Sequence, residues 1–138
     1  MIQRIQTVYL LVSFILCFLL FYFPFYRAGI DGSLIVIASE NLYLLVTAAL
    51  IILTHIPVIF YFKRRKLQAT LALGLMALLA LYMAFGIAAS AMEDQYRLEP
   101  YNFRIGAVLP VISFVLTWMA RQRILKDEAL VRSMDRLR

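Results

Sequence analysis

One histidine, one cysteine and one tryptophan are all that the 138-residue chain holds of those three types. A lone Cys17 excludes an intrachain disulfide and the thiol pair that quinone-linked disulfide exchange requires. A lone His55 cannot hold a haem between two imidazoles. His55 and Cys17 together fall short of the three or four converging ligands of a zinc site. Charge is scarce too: 16% of residues are Asp, Glu, Lys or Arg, gathered into blocks. A proton-coupled exporter of this size needs a carboxylate in the membrane, and the long apolar stretches contain none. No cofactor is expected, and the chain does not read as an enzyme.

What the chain has is apolar length. It is 64% hydrophobic, against roughly 45–50% in an ordinary soluble domain. Four stretches, about residues 5–26, 42–62, 67–92 and 105–120, carry no acid or base in their interiors. A hydrocarbon core of ~30 Å needs roughly 20 such residues as helix. A lone hydrophobic segment in lipid must satisfy its backbone hydrogen bonds internally, so each should be helical. The third, with 26 residues, would be about 39 Å long at 1.5 Å per residue and should tilt or protrude. The fourth, with 16, is short and should lean on the long stems of Arg121 and Arg123. The opening "MIQRIQTVYLLVSFILCFLLFYF" has too long an apolar run for a signal peptide and no small-residue cleavage site. It reads as an uncleaved first helix. The expected fold is an all-α membrane protein: a single domain over 1–138, four transmembrane helices in an antiparallel bundle, and a cytoplasmic helical tail over 121–138.

Cation placement sets the orientation. Arg4, Lys63, Arg64, Arg65, Lys66 and six cations of the tail put eleven on one side, against Arg27, Arg97 and Arg104 on the other. The richer side is expected to be cytoplasmic, with both termini there. Lys63–Lys66 then form a short inner turn whose cations should meet lipid headgroups. Aromatics crowd the span ends: Phe21, Tyr22, Phe23, Phe25 and Tyr26 outside, Phe60, Tyr61, Phe62 and Trp118 inside. In the first outer loop, about 27–41, turn residues around a β-branched run predict a small strand or hairpin. Ser39, Glu40 and Asn41 offer N-caps for helix two.

Three features compete for a functional role. His55, beside Thr54 and near Pro57, should face other helices, and an ionisable group inside a membrane is a functional hypothesis by default. Yet no carboxylate partner exists, and Ser13, Ser90 and Ser113 lack the sequence context of a serine nucleophile. A neutral imidazole bonded to a backbone carbonyl, Thr54 or Thr117 accounts for it as structure. Ala80, Ala84 and Ala88 form a small-residue stripe that would let helix three approach another backbone closely, within the bundle or in another subunit. The tail "RQRILKDEALVRSMDRLR" lacks Gly and Pro and should continue span four as a helix. Glu128–Arg132 and Asp135–Arg138 pairs would support it, and Leu130, Val131, Met134 and Leu137 gather loosely on one side. It should be solvated, lie on lipid or bind a partner.

The two ends, "MIQRIQTVYLL" and "ILKDEALVRSMDRLR", set around four spans, resemble a family of small inner-membrane proteins of Bacteroidota known as a domain of unknown function. The resemblance covers the whole chain and implies a Gram-negative inner membrane; it transfers no activity and no site residue. The expected role is that of a structural, assembly or accessory subunit of a membrane complex. Its partners are the lipid bilayer and a protein, or a second copy, met through helix three or the tail, with no nucleic acid. The alternative is a small-solute transporter or channel component with His55 and Pro57 in its path.

Overall fold

The computed structural model describes residues 2–28, 34–94 and 103–135. Four long helices occupy them: α1 (Ile2–Phe18), α2 (Leu42–Phe60), α3 (Arg65–Asp94) and α4 (Ile105–Asp135). Two single 3-10 turns, Leu19–Phe21 and Tyr61–Lys63, extend α1 and α2. A hairpin of β1 (Tyr26–Ala28) and β2 (Leu34–Val36) pairs Arg27 with Ile35 in antiparallel register. The hairpin expected in the first outer loop is there. Neighbours around the bundle run α1–α2–α3–α4 and back to α1, with α4 packed most extensively on α1 and α3.

Helices α2, α3 and α4 are long and apolar enough to cross a membrane; the apolar part of the first, Ile5–Phe21, is shorter. It ends earlier than the 5–26 span expected from the sequence, because Pro24 has no N–H with which to continue a helix. It still runs the height of the bundle. Gln6 hydrogen-bonds Asp127 of α4 at one end, and the Pro24 carbonyl accepts from the Gly106 N–H at the other. Gly106 and Asp127 are 21 residues apart on one helix, about 32 Å at 1.5 Å per residue, which matches a hydrocarbon core.

The buried faces follow one spacing. On α1 they are Gln6, Leu10, Ser13, Cys17 and Leu20; on α2, Leu44, Ala48, Ile51, His55 and Val58. On α3 they are Gln68, Ala72, Leu75, Leu79 and Tyr82; on α4, Leu109, Ser113, Thr117, Ala120, Ile124 and Asp127. Steps of three and four alternate, as in the seam of antiparallel bundles, apart from two successive fours between Leu109 and Thr117. Thr47, Ala69 and Ser90 are buried as well. Large aliphatics face outward instead, among them Val8, Leu11 and Ile15. In lipid that costs nothing, since hydrocarbon is as apolar as leucine.

This seam excludes the in-bundle version of the alanine stripe. Ala80, Ala84 and Ala88 lie exposed on the outside of α3, while Leu79, one position from Ala80 and about 100° around the helix, is fully buried. The tail expectation also changes. Ala120, Ile124 and Asp127 are buried, so the first turns past Ala120 belong to the bundle. Beyond them Leu130 and Val131 are exposed. Arg121 does not simply extend outward: its Nε donates to the Ala69 carbonyl at 3.3 Å. Glu128 reaches Lys66 across helices at 4.0 Å. The side chains of Arg132, Met134 and Asp135, with Leu137, Arg138 and residues 95–102 of the second outer loop, lie outside what is described.

Aromatics close the end of the bundle expected to face outward. Tyr22 and Phe23 are exposed as a membrane belt would be, but Phe25 and Tyr26 turn inward. Phe25 meets Tyr82 and Phe103 edge-on at 6.2 and 6.0 Å between centroids. Two glycines make room. A Cβ on Gly86 would lie 2.5 Å from the Phe25 ring, and one on Gly106 would run into the Pro24 and Phe23 carbonyls. At the start of α2, Asn41 Oδ1 accepts from the Tyr43 and Leu44 N–H groups at 3.1 and 3.3 Å, the expected N-cap.

Gly106→Ala and Gly86→Ala should each destabilise the bundle by about 1–3 kcal/mol through overpacking. Gly74→Ala meets no heavy atom within 4 Å, so it should be neutral or gain up to about 1 kcal/mol of helix propensity. Thermal unfolding in detergent, followed by circular dichroism, separates the three; equal midpoints would refute the close approach.

Candidate functional site

The sequence supplies polar residues at seam positions where apolar ones would be expected, and the fold brings them together. Ser13 from α1, His55 from α2, and Ser113 and Thr117 from α4 are each 0% exposed. Ser13 Oγ lies 3.1 Å from His55 Nε2 and 3.1 Å from Thr117 Oγ1. His55 Nδ1 lies 2.9 Å from the Ile51 carbonyl one turn back. A carbonyl can only accept, so Nδ1 carries the proton and Nε2 of the neutral ring is an acceptor. The Ser13 hydroxyl then donates to Nε2, and Thr117 donates to Ser13. The Ser113 carbonyl, 3.3 Å from Ser13 Oγ, is the alternative acceptor for that one proton. Ser113 Oγ in turn donates to the Ser13 carbonyl at 3.5 Å. Phe14 sets its ring edge against the imidazole at 5.8 Å.

This group lies at mid-height. Thr117 is 11 residues from Gly106 and 10 from Asp127, about 16 and 15 Å along α4. Apolar layers flank it: Leu10, Val58, Ala72 and Ala120 on the inner side, Cys17, Leu20, Ile51 and Leu79 on the outer. Among the described residues every buried side-chain N and O has a partner, and no three His, Cys, Asp or Glu side chains gather as a metal site would.

His55 therefore faces helices, as expected, and bonds a backbone carbonyl, as expected. Its side-chain partner differs: Ser13 takes that place, Thr117 is one bond removed, and Thr54 turns back to its own Leu50 carbonyl at 2.7 Å. The helix passes through Pro57 without ending; α2 runs on to Phe60. The serine that sequence context could not find is Ser13, 42 residues away in the chain. Its distance to Nε2 suits a nucleophile and base. The second ring nitrogen, however, faces a carbonyl rather than a carboxylate, and the pair is sealed from water and lipid alike.

A second polar layer closes the inner end. Gln6 Nε2 donates to Asp127 Oδ2 at 2.6 Å, and an Arg65 guanidinium N–H donates to the Asp127 carbonyl at 3.1 Å. Gln68 Nε2 donates to the Val58 carbonyl at 2.9 Å, in the last turn of α2. Gln6, Gln68 and Asp127 were not singled out by sequence reasoning. Their signal was the three-four spacing that joins Gln6 to Leu10 and Ser13, and Gln68 to Ala72 and Leu75. Lys63, Arg64 and Lys66 are exposed at this end.

The family model described as a domain of unknown function (DUF4293) matches residues 2–137. The chain belongs to that family. No curated protein and no solved structure matches it.

His55→Leu should strand Ser13 and Thr117 and cost about 1–3 kcal/mol. His55→Gln, which keeps a donor and an acceptor, should recover most of that in unfolding from mild detergent. Equal losses in the two variants would show that ring packing, not hydrogen bonding, holds the layer.

Proposed function

We propose that this membrane protein is a non-enzymatic structural, assembly or accessory subunit of a membrane complex, acting through its surfaces. One observation carries the reading. The intramembrane polar groups, the natural material of a catalytic or transport site, are spent on one another across three helices. What is left for other molecules lies outside: the exposed Ala80, Ala84 and Ala88 face of α3 and the basic inner end. Small residues on an outward face suit close approach of a partner's transmembrane helix, or of a second copy. The sequence count of eleven cations against three favours both termini cytoplasmic, and the family resemblance favours a bacterial inner membrane. The His55–Ser13 contact keeps the solute pathway as the alternative.

Orientation is tested by single cysteines in a Cys17→Ala background. Ser39→Cys should react with an impermeant thiol reagent in intact spheroplasts, and Ser133→Cys should not; reversed labelling inverts the proposal.

Partnership is tested by gentle-detergent purification with mass spectrometry. Ala84→Leu should lose the co-purifying protein or the dimer while its unfolding midpoint holds. Leu79→Ala, in the core, should instead cost about 2–5 kcal/mol. A pH-dependent solute flux in proteoliposomes, abolished by His55→Gln, would replace the subunit reading with the pathway.

A further inference from the structure

The inner turn is more than a row of cations. The chain leaves α2 through the 3-10 turn at Tyr61–Lys63 and starts α3 at Arg65. Because α4 continues past Ala120 as packed helix, its Glu128 and Val131 stand opposite that turn. Between the two walls lies an open groove of about 680 Å³, within the size range of small-molecule sites.

The walls differ in chemistry. Lys63, Arg64, Arg65 and Lys66 supply four cations against the single carboxylate of Glu128. Arg65 is held by the Asp127 carbonyl. Lys66 is drawn toward Glu128 at 4.0 Å, yet its side chain stays 75% exposed. Lys63 and Arg64 are exposed, with no side-chain partner among the described residues. Leu67 and Val131, both partly open, add an apolar strip to the same groove. The first N–H groups of α3 point from its start, where no acidic residue sits in the first turn, and such an end favours an anion.

Depth identifies the occupant. The groove begins where apolar α2 ends, beside the exposed Phe60, Tyr61 and Phe62, aromatics of the kind found at the headgroup boundary. A ligand there meets the cations of the turn and has Leu67 on its membrane side, while Val131, one turn past Asp127, borders it on the water side. We propose that this groove binds the phosphate headgroup of an anionic phospholipid, with the upper acyl chain leaving past Leu67. Glu128 competes with the phosphate for Lys66 and so limits the affinity.

Native mass spectrometry of the detergent-purified full chain tests this with added dioleoyl phosphatidylglycerol or phosphatidylcholine. The wild type should retain the anionic lipid in preference. The exposed pair Lys63→Gln/Arg64→Gln should weaken it roughly tenfold or more, as loss of two near-surface cations implies. Glu128→Gln should tighten it several-fold. Arg123→Gln/Lys126→Gln, beside Trp118 in a separate groove on α4, should leave it unchanged. Circular dichroism confirms that each variant is folded. Equal retention of the two lipids, or equal losses in the two double variants, would overturn the site. Displacement of the lipid by millimolar glycerol 3-phosphate would overturn the membrane ligand in favour of a soluble phosphate.

Discussion

A polar group in hydrocarbon has no water to turn to, and the Ser13–His55–Thr117 layer is how the bundle meets that constraint. Leaving one such group unpaired costs several kcal/mol in an apolar medium, whereas a made bond between transmembrane helices is worth only about 0.6 kcal/mol on average. The layer therefore contributes less to net stability than to uniqueness. Sliding α1 by one turn, about 5.4 Å, would carry Ser13 away from both His55 and Thr117 and bring Tyr9 or Cys17 to their level. Apolar layers on either side tolerate such a shift, because leucine against leucine is satisfied in many registers. The polar layer is not.

The same logic recurs at the ends, and α4 takes part in every station. Its Gly106 meets the Pro24 carbonyl at the outer end, its Ser113 and Thr117 meet Ser13 at mid-height, and its Asp127 meets Gln6 and Arg65 at the inner end. Three anchors about 16 Å apart on one rigid helix fix α1 in height and rotation. Residues after Ala120 are more polar than the rest of α4, yet they pack, with Gln6 donating to the Asp127 carboxylate and Arg65 to its backbone carbonyl.

The membrane class, the four helices, the hairpin and an N-cap within 39–41 were legible in the sequence, because each rests on local chemistry, although α1 ends short of Tyr26 and α4 packs well past Ala120. The seam was not. A soluble helix reveals its inward face by apolar periodicity, but here Val8, Leu11 and Ile15 face out while Gln6, Ser13 and Cys17 face in. On α3 the small residues Ala80, Ala84 and Ala88 stand at steps of four, whereas the buried line alternates steps of three and four through Leu75, Leu79 and Tyr82. Polar residues at that alternation, from Gln6 through Ser13 on α1 and from Gln68 on α3, were the readable sign. Ser13 beside His55 needed the fold itself, since no local pattern joins α1 to α2 at mid-height.

An interior so closed divides the outer surface of α3 into two zones that need not interfere. The helix begins in the basic groove at Arg65 and Lys66 and carries its exposed alanines much further along. Ala80 and Ala88 stand 15 and 23 residues from Arg65, about 22 and 34 Å away. A headgroup at the inner end has a reach of a few ångströms and leaves the alanine face clear. A helix laid on that face would meet bilayer chains there, not a lipid bound in the groove. On the two proposals made for it, charge at one end of α3 and shape at the other would be independent handles, one for the membrane's anionic surface and one for a transmembrane partner. Coupling between them, if any, would have to run through the packed core, where Leu75 and Leu79 already bear on the same seam as the histidine layer.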